Sequence, residues 1–470
     1  MKGSRRESVV AVRSRARATR TRAAGRLAIV ASAALAAGCA SHPREPLESG
    51  AVLDALLSRT PATLEAQVRD VAPDSAFALE DGLDVHEAQV LVLFTGPRAR
   101  LARSAAGVEV AGRVAAGAWE DPVLGIDGAA VLSPENLLEY GVGFALTVPI
   151  FGSNRSARNA ADATARAALA EAEAAEWNAR LALRADWARW SALERRVRDE
   201  EALAAAIGEL AGRVEAWRAG GALSTFEARL VQTRHTSQRI ALAALRDQVE
   251  EARLGLFAEL GLHHTSGIEL IPSGAESHES LPAAVALELL AAHNLDLVAA
   301  HARYDAAEAA LALEVRRQYP DLGLGLGAGS EGEDDRVLFG LELPLPLWNR
   351  NARAIAVALA QRAFERTRYE TELARVAIEY ADARRRLEGA ATRRAVVIEE
   401  LLPLIELQAQ DLALLRESGR LDVSALLEAL SARADALDTA VTVEVDFARA
   451  AADVERLVGP PQHVQSHVER

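Results

Sequence analysis

The sequence predicts a mainly α-helical chain that also supplies strands to a transmembrane β-barrel. It is built from one hairpin–long-helix–short-helix unit present twice. Three observations predict this. The stretch Val142 to Phe151 recurs as Phe339 to Trp348, and Pro149 and Pro346 are 197 residues apart. Pro122 with Pro320, Gly221 with Gly419, and Gly261 with Gly459 are each 198 apart, so one unit of about 200 residues is duplicated, far longer than a solenoid repeat. Each copy pairs two runs of period-2 alternation with a long run poor in helix breakers.

The hairpins come first in each copy. Val123 to Leu132 and Leu137 to Val148 flank the turn-forming Ser133-Pro134-Glu135-Asn136. In the second run Val142, Phe144, Leu146 and Val148 alternate with Gly141, Gly143, Ala145 and Thr147. In the second copy Leu322, Leu324 and Leu326 alternate with Gly323, Gly325 and Gly327, and Val337, Phe339, Leu341 and Leu343 return after the acidic turn Ser330 to Asp335. One face is therefore bulky and apolar, and the other is largely glycine. A half-buried hairpin of a soluble sheet is the alternative. The lengths and the wholly apolar face suit tilted strands that cross a bilayer.

The long helices follow. Ser153 to Ala219 is 67 residues without proline, roughly 100 Å of helix. Asn349 to Glu417 nearly matches it, with Gly389 and Pro403 as candidate bends. Ala157, Ala161, Ala165, Ala168 and Ala172 lie on one stripe where a neighbouring helix could approach closely. Gly220-Gly221 and Gly419 read as left-handed C-caps, after which Leu223 to Leu260 and Leu421 to Val458 return. A helix from Leu281 to Gln318 opens the second copy, and Val85 to Ala118 reads helical around a weak point at Gly96-Pro97. Two short helices stacked end to end would match one long one.

The organisation that follows has six parts. Residues 1–38 are a signal peptide, and 39–80 a tether with an irregular segment. The first repeat is 81–262, the linker 263–280, the second repeat 281–459, and the tail 460–470. The signal reading rests on arginines from Arg5 to Arg26, the apolar run Leu27 to Ala37, and Gly38-Cys39. Cys39 is the only cysteine and cannot pair within the chain. Leu35-Ala36-Ala37-Gly38-Cys39 resembles the bacterial lipoprotein signal, which implies lipidation at Cys39; a plain cleaved signal is the alternative. Setting aside the nine Lys/Arg and one acid of residues 1–38 moves the formal charge from −14 to −22. That acidity argues against a nucleic-acid partner.

Taken together, these features resemble the TolC-like outer membrane efflux protein family over about residues 80–459. Leu343-Pro344-Leu345-Pro346-Leu347-Trp348-Asn349-Arg350-Asn351 resembles the strand-to-helix signature of its heavy-metal (CzcC/CusC-like) branch, carried by Pro344, Pro346, Trp348, Asn349, Arg350 and Asn351. Ala118-Trp119-Glu120-Asp121-Pro122 is similar to that branch's first-strand start, with Glu120-Asp121 departing from it. Gly419 with Leu426-Leu427-Glu428-Ala429 is similar to its second helix turn.

The resemblance implies a homotrimer. Two hairpins give four strands, too few to close a barrel, whereas three chains give twelve, continued by a periplasmic α-helical tube. It also implies an outer membrane location, a periplasmic adaptor (membrane fusion) protein, an inner-membrane pump and passive export without a cofactor, with heavy-metal cations as candidate cargo.

The helix turns would then form the periplasmic entrance and adaptor-docking tips, with Gly221, Ser224, Glu227, Gly419, Arg420, Asp422 and Glu428 as candidates. Threefold symmetry would make rings of Glu227, Asp422 and Glu428; a solvated helix-face acid is the plainer reading of each, and helix capping that of Ser224 and Arg420. His263-His264 lacks partners at metal-ligand spacing. No phosphate-binding loop, dinucleotide fingerprint, zinc-protease helix or nucleophile elbow occurs, so an enzyme fits poorly. The rival is a periplasmic helical scaffold lipoprotein whose hairpins pack on protein.

Overall fold

The computed structural model describes residues 43–71, 77–131, 137–221, 223–274, 286–331, 334–417 and 422–460. The chain divides into two compact units, residues 1–56 and 57–470. Helix α1 (Ser49–Leu57) accounts for most of what is described in the first and buries no residue. In the second, α2 (Pro61–Val71) buries Leu64 and Val68, one turn apart. Ser49–Leu57 and Pro61–Val71 are thus helical where an irregular segment was expected. The Thr63 hydroxyl donates to the Ser58 and Thr60 carbonyls and shapes the entry to α2.

The remaining elements are α3 (Val85–Thr95), α4 (Pro97–Ala115), β1 (Val123–Val131), β2 (Leu137–Val148), α5 (Ser153–Ala219), α6 (Thr225–Leu260), α7 (Leu287–His293), α8 (Leu295–Arg316), β3 (Leu322–Glu331), β4 (Asp334–Glu342), α9 (Ala352–Val396), α10 (Leu402–Glu417) and α11 (Val423–Val458). The four strands form one antiparallel sheet in the order β1-β2-β3-β4. The helices form a wall beside it. Helix α5 runs between α4 and α8 near the sheet, and between α6 and α11 farther away. Helices α8 and α11 lie in turn against α9.

Alanine on α5 serves two neighbours rather than the one stripe read from sequence. Ala160, Ala163, Ala165, Ala167, Ala172 and Ala174 are all buried, because α4 and α8 flank the same stretch. Small side chains there let two helices approach one. Ion pairs Arg113–Asp162 and Arg103–Glu176 fix α4 on one side, and Arg303–Glu171 fixes α8 on the other.

The short helices stack end to end at two equivalent joints. At the first, Gly261 ends α6 with φ +65°, and a Cβ there would lie 2.4 Å from the Thr95 carbonyl oxygen. Only glycine allows α6 to meet the α3–α4 break so closely. At the second, Gly459 ends α11 with φ +87°, and a Cβ would lie 2.1 Å from the His293 oxygen. Asn294, fully buried, donates from Nδ2 to Leu457 O at 2.9 Å and caps α8 by accepting from Leu297 N at 2.9 Å. Asn294 therefore splits the single helix expected from Leu281 to Gln318 into α7 and α8; residues 281–285 lie outside the described residues. Gly96 and Asn294, the two break points, are themselves 198 residues apart.

The first joint carries the main core. Trp187 and Trp190 meet edge-on at 5.5 Å, buried with Leu64, Leu83, Leu91, Phe257 and Leu260. Burying each such side chain stabilises by about 1.5–3 kcal/mol. The stretch after α6 closes over them: Leu83 bridges Leu270, Trp187 Nε1 donates to Ile271 O, and Arg195 donates to Ser273 O.

The second long helix departs from the first. A single π turn, Val397–Leu401, separates α9 from α10. Pro403 explains it, because proline has no N–H to donate to the Glu399 carbonyl, and the ladder must open there. Gly389 does not interrupt α9. Of the paired glycines at the first turn, Gly221 alone is left-handed, with φ +74°; Gly220 stays helical.

The joints predict a contrast. Gly261→Ala should destabilise by more than the ~1–2 kcal/mol cost of left-handed backbone, since it also meets Thr95. Gly107→Ala, in α4 with nothing near its Cβ, should stabilise by up to ~1 kcal/mol. Urea midpoints of the two variants in detergent check both signs.

Candidate functional site

The sheet is the first candidate element. Its register lines the strands into rows across all four. Leu124, Phe144, Leu326 and Phe339 form one row; Ile126, Val142, Ala328 and Val337 the next; Leu146, Leu324 and Leu341 a third. Directly paired residues share a face, so the apolar face runs unbroken across both copies. The opposite face carries Gly125, Gly143 and Gly327 with Leu338 in one row, and Ala145, Gly325 and Gly340 with Val123 in another, so it is glycine-rich at its centre. Ile126 is 79 % exposed and Phe339 86 % exposed, so the apolar face is uncovered by the chain's own helices. The strands are 9, 12, 10 and 9 residues long, against about 9–11 for a tilted transmembrane strand. Leu343, expected to continue the apolar face, lies just past the end of β4. Among the described residues no helix is long and apolar enough to cross a membrane.

The strand-to-helix junctions are the second element. In the second copy Arg350 and Asn351 take φ +41° and +54°, rare for residues with a Cβ. Asn351 repays this by donating from Nδ2 to the Glu314 backbone oxygen at 2.9 Å and to its carboxylate at 2.7 Å, which ties the start of α9 to the end of α8. The Asn349 carbonyl accepts from Ala352 N at 2.8 Å. Pro344 and Pro346 end the strand pattern, and Trp348 stands 91 % exposed. In the first copy Gly152, with φ +80°, serves the same turn. Phe151 packs on Tyr319 at 5.5 Å, so the first-copy junction touches the second.

The helix tips are the third. Ser224 and Glu227 form a reciprocal capping box at the start of α6. Ser224 Oγ accepts from Glu227 N at 3.2 Å, and the Glu227 carboxylate accepts from Ser224 N at 2.7 Å. Hydrogen bonding to the Ser224 hydroxyl and then its backbone holds the Glu227 carboxyl below its usual 4.5. Asp422 caps α11 by accepting from Ser424 N at 2.9 Å, and Glu428 is exposed one turn on. The two tips come together: Val423 and Leu427 of α11 pack with Val214 of α5 and Ala228 and Val231 of α6. Gly419, Arg420 and Cys39 lie outside the described residues.

Sequence reasoning missed two features. Arg196 and Glu200 form a buried ion pair, with Asp438 at 2.8 Å from Arg196 and Gln238 on Glu200, joining α5, α6 and α11. Their i,i+4 spacing is visible, but burial is not. The π turn was signalled only by Pro403. Among the described residues no cluster of metal-ligating side chains occurs, and His263 instead meets Thr265 Oγ1 at 2.6 Å.

This arrangement, an open sheet with one apolar face on a wall of long helices, is the fold of outer membrane channel proteins. No known protein-family profile matches the sequence, and no curated protein matches it. Solved structures do. CusC, described for its transmembrane channel formation, superposes with a TM-score of 0.64 at 17 % identity, covering 81 % of this chain and 93 % of CusC. The outer membrane protein VceC of Vibrio cholerae gives 0.65 at 18 %, covering 80 % and 96 %. The MtrE outer membrane channel of Neisseria gonorrhoeae, in its open state, gives 0.65 at 16 %, covering 80 % and 88 %. The chain fold implied by the resemblance, mainly helical with one small sheet built from both hairpins, is thus the fold found.

The caps and junction predict measurable effects. Ser224→Ala should cost about 0.5–2 kcal/mol of helix-start stability. Because the folded-state pKa of Glu227 is depressed, its contribution is present above 4.5 and lost as the pH falls through the folded value. Hydrogen exchange at residues 225–228 should quicken in acid in the wild type, relative to intrinsic rates, and lose that dependence in Glu227→Gln. Asn351→Gly should destabilise less than Asn351→Ala, since glycine keeps the left-handed turn and loses only the bonds to Glu314; thermal melts of the two compare them.

Proposed function

We propose that the chain is the outer membrane channel of a tripartite efflux system, a passive conduit assembled from three copies. One observation carries this reading. The sheet and the helical wall run in the same order, so each ends on elements joined to one another in sequence. The sheet ends at β1 and β4, each with an unpaired row of backbone groups. Helices α4, α5, α8 and α9 neighbour one another in that order; α4 leads into β1, β2 into α5, α8 into β3 and β4 into α9. A second copy added at one edge would continue both layers at once. Three copies supply twelve strands, enough to close a barrel with its apolar face on lipid and its glycine-rich face around water.

The fold shared with CusC, VceC and MtrE supports the same reading. In this reading the helices extend into the periplasm, and the tips at Gly221 to Glu227 and Gly419 to Glu428 meet a periplasmic adaptor. The acids Glu227, Asp422 and Glu428 ring the entrance. Energy comes from an inner-membrane pump, so the channel needs no cofactor and performs no catalysis. Lipidation at Cys39 anchors the chain in the outer membrane. Heavy-metal cations are the proposed cargo, on the Trp348-Asn349-Arg350-Asn351 signature.

The test is the mass of the detergent-extracted protein together with its conductance in a planar bilayer. A conducting trimer is the expected result. A monomer without conductance would favour a periplasmic scaffold. The cargo is tested separately: a deletion strain should lose tolerance to zinc, cobalt, cadmium, copper or silver, and unchanged tolerance to all five would remove the metal assignment.

A further inference from the structure

Near the sheet, α5 has a short helix on either side, and α9 has only one. Helix α4 lies along one side of α5 and α8 along the other. Helix α8 is the second-copy equivalent of α4, and it lies along α9. Among the described residues no helix takes the place beside α9 that α8 takes beside α5.

The two long helices compare residue by residue. At the offset of 197 set by the prolines, Ala179, Leu183, Trp190 and Leu193 of α5 correspond to Val376, Tyr380, Leu387 and Ala390 of α9, and all are buried. The side of α5 turned to α8 can therefore be transferred to α9. Ala160, Ala163, Ala167, Ala170, Ala174 and Trp177 recur every three or four residues on one stripe of α5, and none is exposed. Ala174 lines a cavity with Ala299 and Arg303 of α8, and Trp177 packs on Ala452 of α11. The counterparts on α9 are Val357, Ala360, Phe364, Thr367, Thr371 and Ala374, and every one is exposed. Val357 is 63 % exposed and Phe364 57 %. This stripe is uncharged on a helix otherwise dense in arginine and glutamate.

Helix α4 presents a matching surface. Ala299 and Arg303, which face α5, correspond at the offset of 198 to Leu101 and Ala105. Leu101, Ala105, Val108, Gly112 and Ala115 continue that line along α4, all exposed and uncharged. The Arg303–Glu171 ion pair fixes the level of α8 on α5, and it transfers to Ala105 and Arg368. In that antiparallel register Val108 meets Phe364 and Ala115 meets Val357. Glu109 lies one turn beyond Ala105 on the same edge of α4, and so comes beside Arg368, whose nearest carboxylate in its own chain, Glu365, is 3.7 Å away. Arg375, level with Arg98, is already paired with Glu372 and Glu379 of its own helix.

We propose that α4 of a second copy seats on this uncovered face of α9, in the way that α8 seats on α5 within the chain. The inference rests on the assembly of three copies proposed above, and it names the residues that join them. Two uncharged stripes then leave water together, and every long helix has a short helix on both sides near the sheet. Helix α4 leads into β1 and α9 follows β4, so the same contact brings β1 of one copy beside β4 of the next, the two strands left unpaired in a single chain.

Oxidative cross-linking of the full-length protein, extracted in detergent, tests the pairing. Val108→Cys with Phe364→Cys, and Ala115→Cys with Val357→Cys, should each shift the protein from one-chain to two- and three-chain species on denaturing gels. Leu101→Cys with Val357→Cys should stay one-chain, because those positions stand about 20 Å apart along the seam. Each single variant controls for Cys39. The native mass of the same samples separates two kinds of failure. A trimer in which neither of the first two pairs cross-links, or in which all three pairs cross-link alike, overturns this seam and leaves the channel reading standing. A monomer overturns both. A cross-linked band of any other mass would mean that a different protein covers α9, and overturns the seam as well.

Discussion

A four-stranded sheet that cannot close on itself constrains everything else in this protein. Each strand is long enough to cross a bilayer, and the sheet presents one unbroken apolar face. Its two outer strands carry backbone groups that must be paired if the sheet enters lipid, where an unpaired amide or carbonyl is costly. The helices answer the same geometry. Each hairpin leads into a helix of the wall, and the wall ends where the sheet ends. Assembly from several copies follows from this need more directly than from any single contact.

The duplication solves the matching of lengths. A single helix of 67 residues must be accompanied along its whole course, and no one returning helix does so. Two helices meeting head to tail do. Gly261 and Gly459 permit the close approach, and Gly96 and Asn294 supply the break on the other side. The two copies then diverge in detail. One long helix is continuous, whereas the other opens at a π turn before Pro403. One joint buries Leu457 in its core, whereas the other carries Glu259 at the equivalent position. Equivalent backbone positions thus hold groups with different responses to their surroundings.

Much of this was legible in the sequence, for identifiable reasons. Period-2 alternation with glycine opposite leucine is a strong local pattern, and the observed register kept it through β2 and β3, while Val123 of β1 and Leu338 of β4 fall on the glycine side. The long helices were legible because breakers are missing from them, and the offset of 198 made each landmark count twice. Local signals failed where long-range packing decided. Asn294 looks like one polar residue in a helical run, yet it is a fully buried cap bonded to Leu457, 163 positions away. Residues 49–71 look irregular, yet Leu64 joins the core of the first joint and Val68 is buried one turn on. The left-handed turn at Asn351 has the side-chain chemistry for it, but its partner Glu314 belongs to another helix. At the tips, the capping roles of Ser224 and Asp422 could be read from spacing alone, and their role toward a partner protein could not.

The account rests most heavily on which face of the sheet meets lipid. Spin labels placed one at a time from Gly141 to Leu146, in a background where the single native cysteine Cys39 is replaced by serine, would read this directly in reconstituted membranes. Labels at Val142, Phe144 and Leu146 should be reached by oxygen dissolved in the bilayer, and labels at Gly141, Gly143 and Ala145 by a water-soluble nickel complex. That alternation, with a period of two residues, is the result the account predicts. Uniform access from water along the whole stretch would contradict it, because the hairpins would then never enter the membrane.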